Sequence, residues 1–545
     1  MNYKKYIPDV AVIIGFVILS FAYFFNPFVE DKVLFQHDTL AGAGASQEIK
    51  HHKEVTGEQS RWTNSLFSGM PTYQISPSYD STNIIKGAEK VYQLGLPSYV
   101  VLCFIMLIGF YIMLRAFGVS AWLSGLGAFI WAFSSYFFIL IAAGHIWKFI
   151  TLAYIPPTIA GVVLAYRGRY LMGALLVSLF TALQILSNHI QMSYYFFFPV
   201  LFIVLAFFID AYKNKRIKDF VKATLIVGFS ALIGLLVNIS SIYHTYQYSK
   251  ETIRGKSELT QTNKQDKVTS GGLDKDYITQ WSYGIGETVT LLVPNAKGGA
   301  SIPLTESKTA MSKADPKYIS VYSQLTQYFG DQPGTSGPVY VGAFVFFLFL
   351  LGCFLVKGSL KWALLAATIL SVMLAWGKNF MPLTDLFIDY IPLYNKFRAV
   401  SSILVIAELT IPLLAILSLK EIIDGVNNGT LSVKYFKKAF YLSSAITFVL
   451  IVFAYFGSSL SGSFMSSHEL AILPKSIPNE HLAPLMNNIT AMRKAIVTED
   501  VVRSAAIILL GMIMLLSFYR GKIRAYVLII GITLLSVFDL WQVNK

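Results

Sequence analysis

The chain has 545 residues, of which 55% are hydrophobic and only 14% are charged, and its mean hydropathy is +0.57. Because soluble proteins carry about 25% charged residues, this composition excludes an ordinary soluble enzyme and predicts a multi-pass membrane protein. The net charge of +14 would also suit a nucleic-acid-binding protein. However, the excess lies in short loops between apolar stretches, which indicates membrane topology and no nucleic-acid partner.

Long apolar stretches recur along the whole chain. We predict thirteen transmembrane helices, at residues 7–28, 95–114, 119–142, 147–166, 170–187, 191–210, 220–243, 338–356, 360–376, 399–418, 438–456, 501–518 and 525–542. The first stretch is too long for a cleaved signal peptide and lacks a cleavage site, so we expect it to remain as a helix. The predicted fold is an all-α polytopic bundle that occupies residues 1–545.

Lysine and arginine are concentrated in every second connection between these stretches. Seven short segments hold 19 lysines and arginines against 5 acids, at residues 1–9, 115–118, 167–169, 210–222, 357–361, 420–438 and 520–524. Such an excess marks the cytoplasmic side of a membrane. We therefore expect a cytoplasmic N-terminus and two large extracytoplasmic loops, at 29–94 and 244–337, which place the working face outside the cell membrane.

Several common functional classes lose support from missing motifs. The chain has no Walker loop, no HExxH, no GxSxG elbow and no CxxC. Its two cysteines, Cys103 and Cys353, both fall within predicted spans, which argues against a disulfide framework or a cysteine metal site.

An acid stands almost directly after the first predicted span. Asp38, in the run from Gln36 to Thr39, opens the loop 29–94. A carboxylate there could deprotonate a hydroxyl or hold a divalent cation such as Mg²⁺ or Mn²⁺, and Glu48 and Glu54 in the same loop could do the same work. The alternative is an ordinary solvated loop acid.

Cationic side chains stand at the predicted outer ends of several other spans. His145 and Lys148 share a very short loop, His189 lies in another, and Arg398 precedes the tenth span. These residue types bind anionic headgroups, and arginine can grip phosphate with two hydrogen bonds.

Other outer-edge charges have structural explanations. Charges at the ends of spans are often interfacial anchors, which is our expectation for Lys396 and Arg503. Glu408 lies inside the tenth span, where we expect it to pair with a neighbouring helix, although a functional role stays open.

Five stretches, in order along most of the chain, resemble the YfhO family of bacterial membrane proteins. They are Gln36-His-Asp-Thr39, Trp62-Thr-Asn-Ser-Leu-Phe-Ser-Gly-Met-Pro-Thr-Tyr73, Gly144-His-Ile-Trp-Lys148, Asn188-His-Ile-Gln191 and Pro392-Leu-Tyr-Asn-Lys-Phe-Arg398. That family is placed with the GT-C fold glycosyltransferases, multi-span enzymes that use polyprenyl-phosphate-linked sugars outside the bacterial cytoplasmic membrane. The resemblance implies a sugar transfer to an envelope glycan, lipid or protein acceptor.

The resemblance also implies roles for particular residues. In the superfamily an essential acid follows the first span, which is the position of Asp38. The donor phosphate would then be bound by His145, Lys148, His189 and Arg398, and the acceptor or sugar pocket would be shaped by Trp62, Asn64, Tyr283 and Glu287. A metal site, if there is one, would use Asp38 with Glu48.

Two departures from the family pattern are visible. Many relatives carry a second acid after the third span, where this chain has His145 and Lys148, so a metal site of two loop acids is in doubt. The family usually continues into an extracytoplasmic C-terminal domain, which is absent or truncated after Lys545.

Two other functions remain open. A transporter or flippase of a lipid-linked or small solute would use Glu408 and the span interrupted at Pro156-Pro157 as its pathway. A scaffold in envelope assembly would need none of these polar residues individually.

Overall fold

The computed structural model describes residues 3–30, 32–75, 79–255, 271–460 and 464–544. The chain divides into two compact units. The first comprises residues 1–128, 139–200 and 207–273, and the second comprises residues 129–138, 201–206 and 274–545. Both units are built almost entirely from helices.

Thirteen α-helices lie between the N-terminus and Ser249. They are α1 (Ile7–Tyr23), α2 (Phe25–Val29), α3 (His37–Ala45), α4 (Gln47–Thr56), α5 (Asn83–Tyr92), α6 (Ser98–Ala116), α7 (Ala121–Ala132), α8 (Ser135–Ala143), α9 (Ile146–Tyr166), α10 (Tyr170–Leu186), α11 (Ile190–Lys213), α12 (Ile217–Val237) and α13 (Ile239–Ser249). The described strands are two residues each, Trp62–Thr63 and Met70–Pro71, paired antiparallel. Short 3₁₀ helices cover Tyr3–Tyr6, Thr72–Gln74 and Asp80–Thr82.

Eleven further α-helices follow in the second unit. They are α14 (Lys275–Thr279), α15 (Lys308–Met311), α16 (Ile319–Tyr322), α17 (Ala343–Leu355), α18 (Leu360–Ala375), α19 (Met381–Tyr390), α20 (Val405–Asn427), α21 (Val433–Leu460), α22 (Ser467–Ser476), α23 (Asn479–Tyr519) and α24 (Ala525–Val543). Short 3₁₀ helices cover Ile285–Leu291, Pro294–Lys297, Leu304–Glu306, Pro316–Tyr318, Gly377–Phe380, Tyr394–Lys396 and Val400–Leu404.

The helix lengths support a multi-pass membrane protein. Among the described residues, nine helices are long and apolar enough to cross a membrane, at Lys4–Tyr23, Ser98–Ala116, Ile146–Tyr166, Ile190–Lys213, Ile217–Val237, Val400–Asn427, Val433–Gly457, Asn479–Tyr519 and Ala525–Val543. Two further pairs would raise the number to eleven, although they bend by 45° (α7 with α8) and by 111° (α18 with the stretch Gly377–Tyr390). Two shorter apolar helices, α10 and α17, fall below the length of a span. Each of the thirteen predicted stretches contains a helix, although residues 95–97 and 338–342 are not helical, and a count of thirteen spans stays a prediction.

Small residues allow the helices of the first unit to approach closely. A Cβ atom added at Gly161 of α9 would lie 2.8 Å from the backbone nitrogen of Val177 in α10. On the other side of α9, a Cβ at Gly109 of α6 would lie 2.5 Å from the carbonyl oxygen of Ala153. Such contacts replace the hydrophobic driving force that lipid does not supply, and they fix α9 between α6 and α10.

In the second unit α20 is surrounded by other helices. Its residues from Val405 to Leu419 are buried without interruption, as expected for a helix that is apolar on all faces. It packs against α17, where a Cβ at Gly352 would lie 2.8 Å from the carbonyl oxygen of Leu414.

The two predicted outer loops are folded. The loop 29–94 contains α3, α4, α5 and the small sheet, so Asp38 lies in the first turn of a helix. The loop 244–337 carries a succession of short helices, with residues 256–270 outside the described residues. Apolar residues near helical spacing in the stretch 46–67 predict an amphipathic helix at the membrane interface, and α4 covers the first part of that stretch. The sequence did not predict the other short helices.

Candidate functional site

The first turn of α3 is docked on the turn that precedes α9. The side chain of Gln36 is buried, and its Nε2 donates to the carbonyl oxygen of Ile141 at 2.5 Å. Thr39 Oγ1 in turn donates to Gln36 Oε1 at 3.0 Å. Gly144 has a φ of +84° and lies against Thr39, so a side chain there would be strained and would clash.

This docking brings two of the predicted residues together. Asp38 Oδ2 lies 2.8 Å from His145 Nε2, and both side chains are about half exposed. Asp38 Oδ1 lies 3.4 Å from His37 Nδ1, which is a much weaker contact. The pair therefore presents a carboxylate and an imidazole to solvent, one of them on α3 and the other directly before α9.

Lys148 and His145 both lie at the amino end of α9. His145 is the residue that precedes the helix, and Lys148 is buried in its first turn. The unpaired N–H groups and the dipole of a helix amino end favour an anion. A lysine there adds to the positive potential of the helix end, so the position would suit an anion such as phosphate.

His189 occupies the equivalent place before α11. Burial lowers its pKa to about 3, and the nearby charge of Lys148 and, more weakly, of His145 lowers it further. Its Nδ1 is buried without a hydrogen-bond partner among the described residues. As a neutral imidazole His189 would bind a phosphate by a hydrogen bond and not by charge, and its role in donor binding stays a prediction.

The four residues form one polar cluster in the first unit. We call Asp38, His145, Lys148 and His189 the Asp38 cluster. It combines an accessible carboxylate with a buried lysine side chain and the amino ends of two helices. Such a set can bind an anionic group and can accept a proton beside it.

The other predicted residues of the first outer loop are held by contacts within that loop. Glu48 Oε2 accepts hydrogen bonds from the Thr63 hydroxyl and, at 3.2 Å, from the Asn64 backbone. Trp62 Nε1 donates to Asn64 Oδ1 at 3.3 Å, and the exposed Trp62 ring lies over Gly69. Glu48 therefore holds the turn that carries Trp62 and Asn64, and these three contacts explain the turn without any ligand.

The residues present do not fit a metal site of two loop acids. Glu48 is engaged with the Thr63–Asn64 turn, and Asp38 is bonded to His145. Over the described ranges, no group of three or more His, Cys, Asp or Glu side chains is arranged to hold a metal ion.

Two predicted pocket residues lie in the second unit. Glu287 is buried, and its carboxylate accepts hydrogen bonds from the Tyr328 hydroxyl and the Gly284 backbone, both at 2.6 Å. Burial raises the pKa of Glu287, and these hydrogen bonds oppose that effect. Tyr283 is buried beside it, and its hydroxyl is bonded to Thr290. Glu287 also lines a cleft of about 700 Å³.

Arg398 likewise belongs to the second unit. It is exposed, its guanidinium donates to the Tyr277 hydroxyl, and it lies over the Tyr277 ring at 5.1 Å. The structure therefore does not group Arg398 with the Asp38 cluster within one unit.

The expectation for Arg503 is wrong, and for Glu408 no ion pair with a neighbouring helix is found among the described residues. Arg503 is no interfacial anchor, because it is largely buried and pairs with Asp500 at 2.7 Å and with Asp539. Glu408 is buried and forms no ion pair with any described residue, and its carboxylate faces the Ser134 side chain outside ordinary hydrogen-bond geometry. The Asp500–Arg503 spacing of three residues on one helix was a sequence signal for the first pair, whereas Asp539 is distant along the chain and gave none.

Comparison with known proteins adds no family. No protein-family model, no curated protein and no solved structure matches this chain. What is established is therefore a helical, multi-pass membrane protein with a polar cluster around Asp38 in its first unit.

Proposed function

We propose that this chain is an integral membrane glycosyltransferase of the GT-C type, which takes its sugar from a polyprenyl-phosphate-linked donor in the bacterial cytoplasmic membrane. The observation that carries the proposal is the 2.8 Å contact between Asp38 Oδ2 and His145 Nε2, one helical turn from the buried Lys148. A proton acceptor and an anion-binding helix end stand side by side, which is what transfer from a phosphate leaving group to a hydroxyl requires.

The transfer would proceed by a single displacement with inversion. The acceptor hydroxyl oxygen forms a bond to the anomeric carbon of the sugar, and its proton passes to the carboxylate of Asp38. The bond from that carbon to the phosphate oxygen breaks, and its electron pair stays on the departing polyprenyl phosphate. Lys148 and a protonated His145 stabilise this negative charge, and neutral His189 donates a hydrogen bond to it.

The position of the donor follows from the predicted topology. With a cytoplasmic N-terminus, the loop 29–94 and the Asp38 cluster lie outside the membrane. Nucleotide sugars do not reach that side, so the donor must be carried by a lipid. An envelope glycan, lipid or protein is the expected acceptor, and a bundle of about thirteen spans would complete the GT-C architecture.

The transfer assay uses membranes that contain a radiolabelled polyprenyl-phosphate sugar. Asp38→Asn keeps the shape of the side chain but removes its basicity, so we expect transfer to fall by roughly 100-fold or more. Glu54→Gln is the matched control, because Glu54 is an exposed acid in the same outer loop with no described contact. Equal transfer by Asp38→Asn and the wild type at equal expression would refute the catalytic role.

A second function, the transporter or flippase, keeps support from one observation. Glu408 is fully buried in a candidate spanning helix and forms no ion pair with a described residue, and such residues often mark solute or proton pathways. Cysteine accessibility at the neighbouring residue 407 discriminates the two functions. Labelling from both sides of the membrane in turn favours transport, whereas labelling from the outside alone or from neither side favours the transferase.

A further inference from the structure

A second polar site lies in the second unit and includes Glu287, one of the residues predicted for the acceptor or sugar pocket. A cleft of about 700 Å³ is bordered by the 3₁₀ helix Ile285–Leu291, by the end of α21 and by the start of α22. This volume suits a small-molecule or headgroup ligand.

One wall of the cleft is polar and tightly built. Glu287 Oε2 accepts a hydrogen bond from the backbone of Asp331 at 3.3 Å, so the buried acid fixes the position of the exposed one. Asn379 Nδ2 donates to the Tyr283 carbonyl oxygen at 3.0 Å and lies 3.4 Å from Asp331 Oδ2. A carboxylate and an amide are thereby presented together at the cleft.

Two glycines show that this wall is too tightly packed for an additional side chain. A Cβ at Gly284 would lie 2.7 Å from Asp331 Oδ2, and a Cβ at Gly330 would lie 2.3 Å from Glu287 Oε1. Neither glycine has a positive φ, so the close approach of the acids, and not a turn, requires them. The arrangement of the carboxylates is therefore built into the backbone.

The opposite wall is apolar and belongs to a spanning helix. Phe453, Ala454 and Gly457 line the cleft from the last turns of α21, and Leu470 of α22 continues the surface. Phe448 and other apolar side chains of α21 are exposed along the same helix. A ligand in the cleft would thus have its polar part at the end of a membrane span and an apolar surface beside it.

The charges lining the cleft select the kind of polar group. They are the carboxylates of Glu287 and Asp331 against the ammonium of Lys297, which lies over the Phe329 ring at 5.2 Å. Carboxylate and amide oxygens accept hydrogen bonds from hydroxyl groups, whereas a phosphate would face two like charges. The cleft therefore favours a neutral, hydroxyl-bearing group, whereas the site at Lys148 favours an anion.

We propose that this cleft binds the sugar headgroup of a neutral glycolipid, with Asp331 and Asn379 holding its hydroxyl groups and α21 guiding its acyl chains. The proposal builds on the proposed function in one respect, since such a lipid would be an acceptor. Binding itself needs neither donor nor transfer, so the two proposals can fail separately.

The test uses the full chain in lipid nanodiscs and three photoactivatable probes: glucosyl diacylglycerol, phosphatidylglycerol and diacylglycerol. After illumination, mass spectrometry locates the labelled peptides. We expect the glucosyl lipid to label the segments around residues 453–457 and 464–470 at least tenfold more than either other probe.

Variants test whether the photolabelling arises from a lipid bound in the cleft. Asp331→Asn weakens hydrogen bonds to the sugar and should reduce labelling about tenfold, whereas Glu306→Gln, an exposed acid outside the cleft, should not. Ser467→Trp fills the cleft from an exposed position and should abolish labelling, while Ser467→Ala should retain it. Asp38→Asn should label like the wild type even when its transfer is lost.

Equal labelling by phosphatidylglycerol would overturn the headgroup assignment. Labelling that persists in Ser467→Trp would overturn the site itself, provided that this variant keeps the thermal unfolding temperature of Ser467→Ala. If that temperature falls, a smaller substitution at the same exposed position, Ser467→Leu, takes its place and faces the same requirement.

Discussion

A Cβ atom at Gly144 would lie 2.9 Å from the backbone nitrogen of Thr39, so the turn before α9 and the first turn of α3 are in direct contact. Gly144→Ala should therefore push α3 away and separate Asp38 from His145. We expect a loss of sugar transfer that approaches that of Asp38→Asn, measured in the same membrane assay.

Gly168 provides a matched control for this substitution. Its φ of +81° is close to the +84° of Gly144, but a Cβ there would meet nothing within 4 Å. Both alanine variants carry the same backbone strain, of about 1 kcal/mol, and only Gly144→Ala carries the clash. If both variants transfer sugar equally well, the docking of α3 is not needed for activity.

The Arg503 pairs predict a large effect on stability. Replacement by Met leaves the buried carboxylates of Asp500 and Asp539 without their cation, and breaking such a buried pair costs about 3–5 kcal/mol. Thermal unfolding in nanodiscs should show a clearly lower midpoint. Arg520→Met, an exposed arginine just beyond the same helix α23, should leave the midpoint nearly unchanged.

The helices of this fold were predictable from the sequence because lipid imposes one requirement on every span. Each must be long, apolar and internally hydrogen-bonded, and this pattern is visible without any partner. Where the apolar stretches are bent or short, the prediction of their boundaries is less accurate. The bend between α7 and α8 at Phe133-Ser134 and the short α17 are set by tertiary packing, which hydropathy does not report.

The candidate site was predictable only where its residues are close to a helix end. His145, Lys148 and His189 stand beside the apolar runs they flank, and Asp38 follows a span, so their residue types alone indicated them. The docking of Gln36 on Ile141, the hydrogen bonds of Glu48 and the Arg503–Asp539 pair depend on contacts between segments that are separate along the chain. No periodicity encodes such contacts.

His189 predicts how stability depends on pH. Its pKa is about 3 in the folded protein and about 6.5 when unfolded. At pH values below about 6.5 the unfolded chain binds a proton that the folded chain refuses, so stability falls as the pH drops from 6.5 towards 3. Above pH 6.5 this residue contributes no pH dependence.

The measurement is the thermal unfolding midpoint in nanodiscs between pH 7.5 and pH 4.5. His189→Gln keeps a polar side chain that does not titrate, so its midpoint should fall less than that of the wild type over this range. His481→Gln is the control, because His481 is a partly exposed histidine elsewhere in the chain. Parallel pH profiles for the wild type and His189→Gln would contradict the assignment of a neutral, buried His189.

Glu408 offers a test that separates stability from function. Its side chain is fully buried, and its carboxylate faces the Ser134 side chain without ordinary hydrogen-bond geometry. Pro412, one turn later, cannot donate to the Glu408 carbonyl oxygen, so a second polar group is left without its usual helical partner. A buried polar group without partners costs about 1–3 kcal/mol, so Glu408→Leu should raise the unfolding midpoint.

The activity of Glu408→Leu shows whether the buried carboxylate, which lowers stability, is needed for function. If the chain is a transferase, Glu408→Leu should be more stable and should transfer sugar at the wild-type rate. If the chain is a transporter, the stabilised variant should lose transport, because the carboxylate in the pathway is gone. Glu408→Gln serves as the control for side-chain shape. A lower midpoint in both variants would show that Glu408 has stabilising partners and would refute its isolation.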